Sequence, residues 1–243
     1  MGDGVLRVGS ALPDPPFELV GGAGDAVGFD PAVMSEVAAR LGRTFVQLRY
    51  EADDFDGIFA GLDHGDYDVV ASGATITDHR RTLARFCRPY VRSGQSLVVD
   101  RQLRPDVRGV DDLGGLTLGV QRGNTSEPVA DALARDGRIA GVRRYAYRDI
   151  LTALDDVAAG TIDAFMKLEP VMRALTRDRP TLAVVQAGIT HEELGVAVRS
   201  DDADLAADVD RALDELRADG TLERLGREWL GTDAPGSTTS VVR

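Results

Sequence analysis

The chain has 243 residues, 43% hydrophobic and 28% charged, an ordinary balance for a soluble globular protein. Its formal net charge of -12 at pH 7 argues against nucleic acid and anionic lipid as partners, because both require a cationic surface to displace counterions. A single cysteine, Cys87, excludes an intrachain disulfide, and His64, His79 and His191 are scattered without ligand-like spacing, so neither metal nor cofactor is expected.

Strands and helices alternate along the chain, the pattern of α/β lobes with mostly parallel sheets. Val5–Val8 reads as a strand and Pro31–Leu41 as a helix, with Val33, Val37, Ala38 and Leu41 on one face and Gly42 as its stop. A strand at Phe45–Leu48 and a short helix at Gly57–Leu62 follow. Asp68–Ala71 is a nearly continuous apolar run, as a strand covered on both faces would be. It breaks at Ser72-Gly73-Ala74, and a helix begins near Thr77. Cys87, between Phe86 and Pro89, is expected to be a packed thiol. Leu116–Val120 is a strand that ends in Gln121-Arg122-Gly123-Asn124-Thr125-Ser126, where Thr125 or Ser126 suits the N-cap of a helix and Pro128 its first turn. Arg143–Tyr147 reads as a strand, Asp149–Ala159 as an amphipathic helix closed by Gly160, and Asp163–Met166 as another strand. Two apolar stripes close the chain, one on Leu205, Val209, Ala212, Leu213 and Leu216 and one on Leu222, Leu225, Trp229 and Leu230. Residues 232–243 are rich in Gly, Ser and Thr and are expected to be a disordered tail. No apolar run reaches the roughly 18 residues that a membrane-spanning helix needs.

The order of short motifs resembles the bacterial extracellular solute-binding proteins, family 3, which serve ABC importers of amino acids. The resemblance covers about residues 5–231. It is carried by Pro16-Phe17-Glu18, Gly28-Phe29-Asp30, Phe55-Asp56-Gly57-Ile58, Gly65-Asp66-Tyr67-Asp68 and the loop Ser72-Gly73-Ala74-Thr75-Ile76-Thr77-Asp78-His79-Arg80. Phe86-Cys87-Arg88-Pro89-Tyr90, Ser93-Gly94, Leu113-Gly114-Gly115, Leu216–Thr221 and Trp229-Leu230-Gly231 complete it. The resemblance implies two Rossmann-like α/β lobes with mixed, mostly parallel sheets, joined by a two-strand hinge, with the ligand in a cleft between them. The crossings fall near Leu97–Asp100 and Gly195–Val198. The first lobe is then 1–96 plus 196–243 and the second 97–195.

The chemistry of the loops is readable without the family. Ser72 and Gly73 end a buried strand, so their backbone groups are expected to face a crevice; Thr75 can offer an N–H and a hydroxyl, and Arg80 lies one turn into the next helix. From there its planar fork can return over the loop to hold a carboxylate by two charge-assisted bonds. Gly123-Asn124-Thr125, after Gln121, would present backbone donors at a helix N-terminus, which favours an anion. The resemblance assigns these positions to a ligand α-carboxylate and Phe55 to an aromatic wall. It also implies an aromatic residue where this chain has Asp14, and an ammonium-pairing aspartate where it has Leu168, between Lys167 and Glu169. Three explanations stay open: Asp14 or Glu169 replaces the missing carboxylate; the ligand lacks an α-ammonium and Lys167 contacts a second acidic group; or the original ligand has been lost.

The expected function is therefore that of a solute-binding protein, not an enzyme. It closes on a small carboxylate-bearing ligand, an amino acid or derivative, and acts as a monomer that docks on importer membrane subunits. A cytoplasmic enzyme on the same scaffold, such as a dehydratase of a cyclic carboxylate, and a ligand-sensing module are the rivals. Met1-Gly2-Asp3-Gly4 shows no signal-peptide pattern. The expected location is extracytoplasmic, periplasmic or membrane-tethered, if a leader was removed, and cytoplasmic otherwise.

Overall fold

The computed structural model describes residues 4–22, 24–51, 53–234 and 236–242. The reading of the N-terminus on Met1–Asp3 lies outside them. The fold is two-lobed and α/β, built as two compact units: Met1–Glu51, Asp56–Arg92 and Glu192–Arg243 form the first, Ala52–Phe55 and Ser93–His191 the second.

Each unit is organised on a five-stranded mixed sheet. In the first the order is Thr44–Arg49, Val5–Ser10, Val69–Val70, Ala197–Val198, Arg85–Phe86. The first three strands are parallel, and Ala197–Val198 runs antiparallel to both its neighbours. In the second the order is Gly141–Tyr145, Thr117–Gln121, Ala164–Leu168, Gln95–Asp100, Leu182–Gln186, again with three parallel strands and an antiparallel fourth. Gln95–Asp100 is buried along its whole length, as a central strand covered on both faces must be. The core of the second unit gathers Leu97, Val99, Leu118, Val120, Ala164 and Met166 from three of these strands.

The helices follow the apolar spacing with small shifts. Phe29–Arg40 starts two residues before the expected Pro31, after Gly28. Ala203–Ala218 buries Leu205, Val209, Ala212, Leu213 and Leu216, and Asp202 caps it by accepting the Leu205 N–H at 3.0 Å. Two expectations need correction. The strand placed at Arg143–Tyr147 occupies Gly141–Tyr145, because Tyr147–Asp149 turns into a 3-10 helix that leads into Ile150–Ala158. The C-terminal segment is not a disordered tail. Ser240–Val241 pairs antiparallel with Val91–Arg92, Thr239 is buried, and the Val242 N–H donates to the Tyr90 carbonyl at 3.0 Å. Backbone pairing of this kind is indifferent to the Gly/Ser/Thr composition that suggested disorder.

Candidate ligand-binding site

In the first unit the Val69–Val70 strand ends in the loop that carries Ser72, Gly73, Thr75 and Arg80. Thr77 caps the four-residue helix Asp78–Arg81, its hydroxyl accepting the Arg80 N–H at 3.1 Å. With the helix start fixed, the Arg80 side chain comes back over the loop. Its Nη1 donates to the Thr75 carbonyl at 3.0 Å and its Nε to Asp56 Oδ1 at 2.8 Å, and its guanidinium lies 5.8 Å from the Phe59 ring centroid. The residue is 3% exposed. A fork held this way has already given up its rotamer entropy. The Thr75 hydroxyl donates to Glu192 Oε2 at 2.6 Å.

Ser72 and Gly73 turn their own donors inward. The Ser72 hydroxyl donates to Glu18 Oε1 while accepting the Ala11 N–H at 3.0 Å. The Gly73 N–H donates to Asp30 Oδ2 at 2.7 Å, and the Tyr90 hydroxyl to Asp30 Oδ1 at 2.6 Å. These two groups therefore hold the loop in place rather than facing outward. Gly73 sits at a φ of +52°, and a Cβ there would lie 2.9 Å from the Phe17 ring, so only glycine fits the turn.

Asp14 is buried beside this network, in a tight turn in which its N–H donates to the Glu18 carbonyl at 2.9 Å. Burial is the main reason that the Asp30 carboxyl is pushed up to about 6; the hydrogen bonds from Tyr90 and Gly73 oppose the shift and the nearby Asp14 charge adds to it. The ionised form is thus disfavoured in the folded protein, so this group detracts from stability above about pH 6 and the deficit is relieved as pH falls toward 4. Urea midpoints should rise from pH 7.5 to pH 5, and Asp30→Asn should flatten that rise. An unchanged slope in the variant would assign the pH dependence to other groups.

In the second unit the Thr117–Gln121 strand runs into the Gly123–Thr125 loop. Gly123 takes a φ of +72°, and its N–H donates to Glu127 Oε2 at 3.0 Å. The helix Ser126–Arg135 follows, and neither Thr125 nor Ser126 caps it through its side chain as the sequence suggested. Thr125 already has helical dihedrals, and its Oγ1 accepts Gln95 Nε2 at 2.9 Å. The side-chain amides of the loop also bind the protein: Gln121 Nε2 donates to the Tyr147 carbonyl, and Asn124 Nδ2 to Gln121 Oε1 at 3.3 Å. Phe55 packs on Tyr147, with ring centroids 5.2 Å apart. Lys167 is 2% exposed, with Nζ 4.6 Å from the centroid of that same tyrosine. Glu169 is fully buried and accepts Arg173 Nε at 2.6 Å, a bond within its own helix, Glu169–Thr176.

The residues singled out in the sequence thus assemble into two groups. Arg80 and Thr75 join directly, and Asp14, Ser72 and Gly73 share one braced network. Phe55, Gln121 and Lys167 converge on Tyr147, and Thr125 joins Gln95. Glu169 bonds to Arg173 within its own helix. Sequence reasoning did not place Asp56, Asp30, Tyr90, Glu192, Gln95 or Tyr147 in either group. Asp56, Asp30 and Tyr90 stand inside motifs already recognised, whereas Glu192 and Tyr147 have no local signal. Cys87 is buried as expected, and burial pushes its thiol up to about 12, so it stays protonated. Among the described residues there is no cluster suited to a metal ion and no helix long and apolar enough to cross a membrane.

Two mixed α/β sheets, with the loops at the strand ends carrying a buried arginine, an aromatic pair and a helix start, define the fold of type II periplasmic binding proteins. The chain belongs to the bacterial extracellular solute-binding proteins, family 3, whose model matches residues 6–232. It is 32% identical over 231 residues to the L-cystine-binding protein TcyJ of Escherichia coli strain K12, which covers 95% of this chain and 84% of that protein. An ancestral arginine-binding protein bound to arginine superposes with a TM-score of 0.85 at 32% identity, over 94% of this chain and 99% of the other. An ancestral amino-acid-binding protein, a precursor of cyclohexadienyl dehydratase, superposes with a TM-score of 0.83 at 30% identity, over 93% and 96%.

Proposed function

We propose that this protein receives an amino acid or a close derivative outside the cytoplasmic membrane and delivers it to the membrane subunits of an ABC importer. The observation that carries this reading is Arg80, buried and oriented by Thr75 and Asp56, beside a loop braced by four buried side chains. Its guanidinium takes the ligand carboxylate, with Thr75 beside it. Phe55 and Tyr147 supply an apolar face, and Gly123–Thr125 a helix start that favours negative charge. Asp14 and Lys167 are buried charged groups that would help to distinguish one ligand from another. A ligand that binds one conformation of the monomer better than another shifts the population toward it, which is how occupancy becomes a signal to an importer.

The test is a thermal-shift panel of amino acids, keto acids and cyclic carboxylates. A true ligand at a hundred times its Kd adds about 2.7 kcal/mol of stability. A panel in which no carboxylate shifts the melting temperature would sink the proposal.

One observation favours a second reading, an enzyme on the same scaffold: the likeness to a precursor of cyclohexadienyl dehydratase. Such chemistry needs a positioned acid or base, and Asp14, Lys167 and Glu169 are buried candidates. Mass spectrometry of any stabilising ligand after prolonged incubation separates the readings, since a binding protein returns it unchanged.

A further inference from the structure

Gln47 stands on Thr44–Arg49, the strand at one edge of the first unit's sheet, beside Val5–Ser10. Side chains alternate across a strand, so Phe45, Gln47 and Arg49 share one face. Both polar atoms of the Gln47 amide, Nε2 and Oε1, are shielded from water, and neither has a hydrogen-bond partner among the described residues. A buried donor and a buried acceptor left unmatched destabilise a fold, and native structures keep few of them.

The residue lines a cavity of about 420 Å³, within the range of small-ligand pockets, whose walls include Leu12, Leu19, Val20 and Phe45. This lining lies within the first unit and shares no residue with the groups gathered around Arg80 and Asp14. One wall is the hairpin that pairs Leu19–Val20 with Ala26–Val27, only two residues on each side. Its turn holds Gly22 and Gly24, with nothing within 4 Å of where a Cβ would stand on either. So short a ladder, with so open a turn, yields readily and gives a ligand a way to the amide.

The chemistry of the lining narrows what would enter. A carboxylate would satisfy Nε2 alone and an ammonium Oε1 alone, whereas a neutral amide brings both an N–H and a carbonyl. The rim favours neither sign of charge: it carries Asp25 and Arg49, and Arg49 Nε already bonds Glu51 Oε1 at 2.9 Å. Leucine, valine and phenylalanine walls suit an apolar group next to the amide. We infer that this cavity is a second binding site, which takes a neutral amide bearing an apolar substituent, as a peptide or a small acyl amide does.

Three probes test this by NMR titration: N-methylisovaleramide, its ester counterpart methyl isovalerate, and N-methylacetamide, which lacks the apolar group. At millimolar concentration the first should shift the Gln47 side-chain NH₂ resonances. It should bind about tenfold or more tightly than either of the others, one for want of a hydrogen bond and one for want of apolar contact. Gln47→Leu should erase the preference for amide over ester. It should also raise the melting temperature, since an apolar side chain of similar size replaces two unmatched polar atoms. A glutamine that served only the fold would lower it on replacement. The inference is overturned if the NH₂ resonances do not move, if the ester binds as well as the amide, or if Gln47→Leu is less stable than the parent. Arg80→Ala should leave all three affinities unchanged; if it abolishes them, the probes occupy the Ser72–Arg80 loop and the second site fails. Acetyl-Ala-Leu-Ala-amide then separates the sources of the amide. Tighter binding than N-methylisovaleramide supports a peptide lying along the edge strand, and equal binding supports a small acyl amide.

Discussion

Arg80→Ala is expected to lower the affinity for any carboxylate ligand roughly a hundredfold or more, since each hydrogen bond to a charged group is worth about 1.5–3 kcal/mol and a guanidinium makes two to a carboxylate. The side chain is already held by the Thr75 carbonyl and Asp56. The parent therefore spends little entropy to use it, and alanine removes an interaction that was ready before the ligand arrived. The same truncation leaves Asp56 and the Thr75 carbonyl without these bonds, so the unliganded protein should also lose about 1–3 kcal/mol of stability. Arg80→Lys keeps the positive charge but cannot reproduce a planar fork that reaches both acceptors and a carboxylate. It should bind with intermediate affinity and melt closer to the parent. Calorimetry of both variants with whichever ligand stabilises the parent decides the matter. Unaltered binding by Arg80→Ala would remove Arg80 from the site, and a lysine variant as weak as alanine would show that geometry outweighs charge.

How much of this was readable from the sequence depends on whether the signal is local. The apolar stripe of Ala203–Ala218 recurs at helical spacing, so its buried face was legible residue by residue. The Ser72–Arg80 loop was legible for a similar reason: a buried strand stops, Thr77 can cap, and the arginine follows at a fixed interval. What escaped was pairing across long stretches of chain. The Thr75 hydroxyl finds Glu192, 117 residues away, and no spacing rule connects them. Phe55, Tyr147 and Lys167 come from three separate segments, and only the folded sheet puts them together. The inward bonds of Ser72 and Gly73 were missed because a sequence shows which donors exist but not where they point. The C-terminal segment misled because composition reports side-chain burial, whereas Ser240–Val241 is fastened through its backbone.

Gly123→Ala is expected to be the most damaging single methyl in the second unit's loop. Two effects add. The residue has a φ of +72°, where an L side chain is strained by about 1–2 kcal/mol. A Cβ would also fall on the Asp54 carboxylate and lie 2.7 Å from the Phe55 backbone nitrogen, too close for either to remain. Relief would push the Asp54-Phe55 backbone away, breaking the Phe55 N–H bond to the Arg122 carbonyl and unseating the Phe55 ring from Tyr147. Gly137 supplies the control, with a φ of +69° in the same unit and nothing within 4 Å of where its Cβ would stand. Gly137→Ala should cost only the dihedral strain, about 1–2 kcal/mol. Gly123→Ala should cost about 1–3 kcal/mol more from overpacking and should weaken ligand binding, which Gly137→Ala leaves alone. Urea unfolding of the pair, with calorimetry on each, measures both differences. Equal stabilities and equal affinities would mean that the loop yields without disturbing Phe55, and that the aromatic pair does not depend on the close approach of Gly123.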